Sequence, residues 1–258
     1  MRGRWLLRID DVDTSRCRTH FTNSILDCLT AHGLHWDDAP LFQSVRSVSY
    51  QEAIDQLASK QLCYTCTCSR QEIKGKGQFY TGTCKTKQLS NTAGAIRLHN
   101  HNDNHVFHDQ HFGKITINPL LASEDIVLRR KDGVFAYHLA TVIDDIAQGV
   151  THIVRGADLL ECAAVQNHLF ALFSRPSPQY LHIPVLSTSK NMKLSKQNHA
   201  PAIDSKSANL NIVMALKYLG IDTPNSLKNA KIDDLLLFAI ERWHTKHLGK
   251  NREVLISA

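Results

Sequence analysis

Two hydrophobic periods alternate along this chain. Trp5-Leu6-Leu7-Arg8-Ile9 is largely apolar on both faces, the pattern of a strand inside a parallel sheet that helices cover. Phe21, Ile25, Cys28 and Leu29 then recur at helical spacing with Gly33 as the stop, and Ala53, Ile54, Leu57 and Ala58 mark a second amphipathic helix. Ile126-Val127-Leu128 and Ile153-Val154 read as strands with a helix from Tyr137 to Ile146 between them, and Leu181-His182-Ile183-Pro184-Val185-Leu186 reads as a further strand. Strand alternating with helix predicts an α/β architecture. The last part is helical: Leu210 to Leu219 is closed by Gly220, and Ile232, Leu235, Leu236, Ala239, Ile240 and Trp243 keep a 3.6-residue period.

Between residues 62 and 125 the texture changes to short apolar patches, four cysteines, glycines and histidines, which predicts an inserted subdomain. The expected organisation is a first core segment at 1–61, the insertion at 62–125, a second core segment at 126–201 and a helical region at 202–258. His99, His101, His105, His108 and His111 stand among Asn and Asp and read as a solvated loop rather than a second metal site. No internal repeat is present.

Composition narrows the class. A chain of 258 residues with 43% hydrophobic content can bury a sizeable core, in one large domain or two small ones. No apolar run approaches the ~20 residues of a membrane span, and Met1-Arg2-Gly3-Arg4 with its short apolar run is too brief for a signal peptide, so cytoplasm is expected. A net charge of +6 suits a nucleic-acid partner without requiring one. Seven cysteines, an odd number, argue for reduced thiols. Cys63, Cys66, Cys68 and Cys84 cluster closely enough for zinc, and four thiolates are the simplest ligand set; buried unliganded thiols are the alternative.

Two further groups carry chemistry. Asp10, Asp11 and Asp13 fall just past the carboxyl end of the first strand, where open parallel sheets bind ligands. A calcium loop is excluded, because its glycine position would hold Arg16 and its last glutamate position Thr22. Helix-capping or solvated carboxylates remain the competing reading. Lys193-Leu194-Ser195-Lys196-Gln197 puts two lysines and a hydroxyl in a polar loop suited to polyphosphate, although by itself the pattern more often marks a solvated turn.

The order and spacing of Arg8-Ile9-Asp10-Asp11-Val12-Asp13-Thr14-Ser15-Arg16, Phe135-Ala136-Tyr137, Ile153-Val154-Arg155-Gly156-Ala157-Asp158 and the lysine loop resemble the catalytic core of class I glutamyl-tRNA synthetases. The pattern is closer still to their short paralogues, the glutamyl-queuosine tRNA(Asp) synthetases, from about Gly3 to about Pro201. The resemblance implies a Rossmann-like core, incomplete at its N-terminus, with an inserted zinc-binding subdomain and a helical C-terminal region. It assigns Asp10, Tyr137 and Arg155 to glutamate, Lys193 and Lys196 to catalysis with Lys196 on the ATP phosphates, and Cys66, Cys68, Tyr80 and Cys84 to structural zinc. Tyr80 in place of Cys63 rests on that match alone.

Three positions depart from the family: Asp10 stands where Glu is common, Leu194 where Met is, and Gln197 where Ser often is. The implied reaction joins glutamate to AMP from ATP with Mg²⁺, then passes the acyl group to queuosine in tRNA(Asp); a monomer without membrane contact is expected. The family's Gly- and His-containing ATP motif has no counterpart here. The first strand corresponds to the family's second, and a start codon placed too late is the preferred explanation over a shortened or decayed chain.

Overall fold

The computed structural model describes residues 3–87, 89, 94–195, 198 and 200–256. Strand β1 (Arg8–Ile9) leads into helix α1 (Thr19–Ala31) and returns as β2 (Leu41–Phe42), which pairs with β1 in parallel. A 3-10 turn at Gln43–Val45 precedes α2 (Ser47–Ser59). Then follow β3 (Cys63–Cys66), α3 (Arg70–Lys74), β4 (Ala95–Leu98), β5 (Val106–Asp109), β6 (Gly113–Thr116), α4 (Pro119–Ala122) and β7 (Val127–Arg129). Helix α5 (Tyr137–Gln148) ends on Gly149 in a left-handed conformation (φ 64°), which glycine adopts without steric cost. Strand β8 (His152–Gly156), helix α6 (Leu160–Leu172) and strand β9 (Gln179–Ile183) form a parallel crossover unit.

The chain closes with β10 (Val185–Ser189), β11 (Met192–Lys193), α7 (Ala208–Tyr218), α8 (Ile232–Arg242) and β12 (Glu253–Leu255). The larger sheet has the order β6-β5-β9-β8, and two strands of the 62–125 segment therefore extend the sheet that carries Arg155. The other sheets are β3-β4-β7, β11-β10-β12 and the pair β1-β2.

The main core joins α2, β4, α5 and α6 through Tyr50, Leu57, Leu98, Leu128, Leu139, Leu169 and Phe170. One polar cluster locks it. Buried Asp144 on α5 accepts hydrogen bonds from Gln43 Nε2 (2.8 Å), Tyr50 Oη (2.8 Å) and Arg46 Nε (2.6 Å), so the cost of removing its charge from water is offset by three donors. Its neighbour Asp145 accepts from Arg8, tying β1 to the same helix.

Four elements depart from the sequence pattern. The first apolar run forms a strand only at Arg8–Ile9; Trp5 is 42% exposed, and its backbone N–H donates to Asp37 rather than to a ladder. Helix α1 forms as expected, yet it buries no residue, and Phe21 and Ile25 face outward at 40% and 51% exposure. The run 181–186 is two strands in different sheets, because Pro184 has no N–H to continue the ladder. The histidine-rich stretch is not wholly a solvated loop: His108 lies in β5, and Asp109 beside it is fully buried. A fifth feature had no sequence signal, the strand β12 that follows the C-terminal helices and pairs with β10 in parallel. Among the described residues no helix is long and apolar enough to cross a membrane.

Candidate active site and metal centre

Arg155 sits on β8 opposite His182 of β9. Its Nε donates to His182 Nε2 at 3.0 Å, its Nη1 to Gln166 Oε1 at 2.8 Å and its Nη2 to the Leu159 carbonyl at 3.2 Å. The guanidinium also lies 5.1 Å from the centroid of the Tyr180 ring, within cation–π range. Arg155 thus arrives at the site already oriented.

Tyr137 opens α5, and the fields of Arg155, Cys162 and Asp10 all reach its hydroxyl. Burial raises its pKa, Arg155 opposes that rise, and Cys162 and Asp10 add to it. The next residue, His138, is pushed down to about 4, first by burial and then by the charge of Arg155. Asp10 follows β1 and accepts from Arg8 Nε at 2.8 Å. Tyr137 therefore lies within electrostatic range of both Arg155 and Asp10. The other acidic residues of that run turn away to structural partners. Asp11 accepts from the backbone N–H (2.9 Å) and hydroxyl (2.7 Å) of Ser44, and Asp13 accepts from Arg130 (2.8 Å) and Ser15 (2.6 Å). Asp11 is thereby tied to the 3-10 turn Gln43–Val45.

Lys193 lies on β11 in a hairpin that turns at Asn191 with φ 63°. Its ammonium pairs with Asp158 Oδ2 at 2.5 Å, and its carbonyl accepts from Asn198 Nδ2 at 2.7 Å. Gly156 permits the approach of Asp158, since a Cβ there would stand 2.5 Å from Asp158 Oδ1. From the far side, Glu253 at the start of β12 accepts from the Asn191 N–H at 3.2 Å. Lys196 and Gln197 lie outside the described residues.

The second centre is built from cysteines. The Sγ atoms of Cys66, Cys68 and Cys84 all lie within 4.8 Å of one another. Tyr80 Oη stands 3.3 Å from Cys66 Sγ and 4.0 Å from Cys68 Sγ. Tetrahedral zinc with Zn–S of ~2.3 Å separates its sulfurs by ~3.8 Å, and the 3.5 Å between Cys68 and Cys84 is close to that. The donor set fits a structural zinc ion. Burial opposes ionisation of Cys84, but the Thr67 N–H and contacts from Cys68, Tyr80 and Cys66 outweigh it and lower the thiol to about 6.

Cys63, the alternative fourth ligand, packs instead against the main core at the other end of β3, while Cys66 joins Tyr80 and Cys84 in a separate cluster. Gly94 is needed beside it, because a Cβ would meet the Cys66 carbonyl at 2.3 Å. Asp125, buried, fastens this region by accepting from Tyr64 (2.6 Å), Lys85 (3.0 Å) and the Asn100 N–H (2.9 Å).

Comparison with known proteins agrees with this architecture. Residues 1–220 match the family profile described as tRNA synthetases class I (E and Q), catalytic domain. The glutamyl-Q tRNA(Asp) synthetase of Idiomarina loihiensis is 41% identical over 95% of this chain and 87% of its own length. The chain belongs to the glutamyl-Q tRNA(Asp) synthetase family of class I tRNA synthetases. A second member, from Colwellia psychrerythraea, is also 41% identical, over 98% of this chain and 82% of the relative. Among solved structures, glutamate-tRNA synthetase from Elizabethkingia anophelis superposes with a TM-score of 0.76 at 21% identity, over 99% of this chain and 62% of that one; this likeness concerns the fold.

The structure adds residues that stand behind those motif positions. His182 and Gln166 touch Arg155 directly and Asp109 touches His182, yet none of the three has a local sequence signal. His182 lay inside an apolar run and Asp109 inside a polar one. Only strand pairing reveals the contact.

Proposed function

We propose that this chain joins glutamate to AMP and then transfers the glutamyl group to the queuosine base of tRNA(Asp). The observation that carries the reading is the prefixed guanidinium of Arg155, in electrostatic reach of Tyr137 and, through it, of Asp10, in a member of the glutamyl-Q tRNA(Asp) synthetase family. Arg155 pairs with the side-chain carboxylate of glutamate, Tyr137 packs and hydrogen-bonds beside it, and Asp10 accepts from the α-ammonium. With Asp one methylene shorter than Glu, Asp10 sits farther back from that ammonium.

In the first step an oxygen of the glutamate α-carboxylate attacks the α-phosphorus of ATP, and pyrophosphate leaves. Mg²⁺, brought with ATP, neutralises phosphate charge. Lys193 and Lys196 offer ammonium groups to the departing phosphates, and Lys193 must exchange Asp158 for phosphate to do so. In the second step a queuosine hydroxyl oxygen attacks the acyl carbon, its proton is lost, and AMP leaves. No protein nucleophile takes part. Cys66, Cys68, Tyr80 and Cys84 would hold zinc in a structural role, which fixes the strand β3 and its loop rather than touching the reacting atoms. The reading implies a cytoplasmic enzyme acting as a monomer.

The test is incubation of the protein with labelled glutamate, ATP and tRNA(Asp) carrying or lacking queuosine. Label is expected only on the queuosine-containing tRNA. Charging of tRNA(Glu) instead would reject the assignment in favour of an ordinary glutamyl-tRNA synthetase core.

A further inference from the structure

Behind Arg155 runs a fully buried chain of hydrogen bonds that the reaction itself does not use. His182 Nδ1 and Asp109 Oδ2 are 2.7 Å apart, and both side chains are 0% exposed. Asp109 is saturated: Oδ1 accepts from the backbone N–H groups of His111 and Phe112, each at 2.9 Å, and Oδ2 accepts from the His182 N–H at 3.1 Å as well as from its ring. Four donors converge on one carboxylate, which has acceptor sites for all four only when ionised.

That arrangement fixes a tautomer. A carboxylate without a proton obliges His182 Nδ1 to carry the hydrogen, which leaves a lone pair on Nε2, and Nε2 receives Arg155 Nε–H at 3.0 Å. The Tyr180 ring stacks on the imidazole with centroids 5.9 Å apart and planes 13° from parallel, so the ring cannot turn away. Of the five N–H groups on Arg155, three are engaged by His182, Gln166 and Leu159. Among the described residues no partner takes the other two, one on each terminal nitrogen.

We propose that Asp109 and His182 are positioning residues for the amino-acid substrate: by fixing the imidazole tautomer they hold Arg155 with two N–H groups free for a carboxylate. The proposal rests on the reading that Arg155 binds the glutamate side chain. Asp109 comes from β5, in the segment between residues 62 and 125, so the strand that sets the substrate's anchor lies outside the motif-bearing elements. Burial tends to raise the Asp109 pKa, but the donors from His182, Phe112 and His111 outweigh it and lower the value, as a permanently ionised anchor requires. The same logic appears where a carboxylate orients a histidine that in turn orients a reacting or binding group.

Asp109→Asn tests the tautomer directly. Its amide oxygen must face the His111 and Phe112 N–H groups, which places its NH₂ against His182 and moves the imidazole proton to Nε2, pointing at Arg155 Nε–H. His182→Leu removes the acceptor altogether, whereas His182→Gln returns an acceptor oxygen near the Nε2 position. Labelled-glutamate binding and ATP binding are measured by equilibrium dialysis on the whole chain, with thermal melting of each variant alongside.

Asp109→Asn and His182→Leu are expected to weaken glutamate about 10- to 100-fold, with ATP affinity within about twofold, and His182→Gln to recover most of the loss. A purely structural role predicts equal damage to both ligands and no rescue by Gln. Glutamate affinity unchanged in Asp109→Asn and His182→Leu, while Arg155→Ala abolishes it, would overturn the positioning role alone. Unchanged glutamate affinity in Arg155→Ala would overturn the underlying reading of Arg155. Should Asp109→Asn fail to fold, the Leu and Gln variants at His182 decide the matter.

Discussion

The two halves of the candidate site are held in opposite ways. Arg155 is clamped by the three hydrogen bonds it donates to groups on or next to the sheet and α6, and the imidazole behind it has no exposed surface. Among the described residues Lys193 has a single side-chain partner, Asp158, and its side chain remains 42% exposed on a two-residue strand at a hairpin. The difference suits the ligands proposed for each half. A carboxylate of fixed shape rewards a preorganised fork, whereas phosphate charge moves during reaction and rewards a long flexible stem. On the proposed assignment, the amino-acid half would be built before substrate arrives and the phosphate half completed by it.

The strongest way to break this comparison is to remove the fork. Arg155→Ala is expected to weaken glutamate roughly 10²–10³-fold, because a half-buried charged contact is lost and His182 Nε2 and Gln166 Oε1 lose their donor. Equilibrium dialysis measures the change, and an effect below about tenfold would put Arg155 outside the glutamate contacts.

A second expectation separates the metal centre from both halves. Cys84→Ser should release zinc, read by atomic absorption, and lower the melting temperature by about 5–10 °C. Glutamate binding should stay within about twofold, since Cys66, Tyr80 and Cys84 form their own cluster apart from the core around α5 and α6.

A third concerns pH. His138, beside Tyr137, is held neutral down to about 4 against its ordinary 6.5, so an unfolded chain takes up a proton that the folded one refuses. Stability should be full above about pH 6.5, fall between 6.5 and 4, and level off below for this group. Urea midpoints across that range, compared with His138→Gln, should show a shallower fall in the variant.

The smallest effect is expected at the phosphate half. Asp158→Asn removes an exposed ion pair worth about 0–1 kcal/mol, so ATP affinity should rise by no more than about fivefold. A large loss of ATP binding would mean that Asp158 supports the loop rather than competing with phosphate.

What the sequence revealed depended on distance along the chain. Helix α5 and strand β8 were legible because each follows a local period, and Cys66, Cys68 and Cys84 because close thiols suggest metal. Asp10, Tyr137, Arg155 and the lysine loop were legible as a family pattern, not as chemistry that any one of them announced. The contacts that organise them were not legible. Asp109 and His182 are 73 residues apart, and Gln43 and Asp144 are 101 apart, so only the fold brings them together. Helix α1 shows the reverse case: its apolar stripe correctly predicted a helix but not the face that is covered, because periodicity carries no information about what packs against it.

The most direct test of a preformed amino-acid half and an induced phosphate half is the affinity for glutamate with and without a non-hydrolysable ATP analogue, measured by titration calorimetry on the whole protein. The expected result is saturable one-to-one glutamate binding in the absence of nucleotide, changed by no more than about threefold when the analogue is present. Glutamate binding that appears only with nucleotide bound would contradict it.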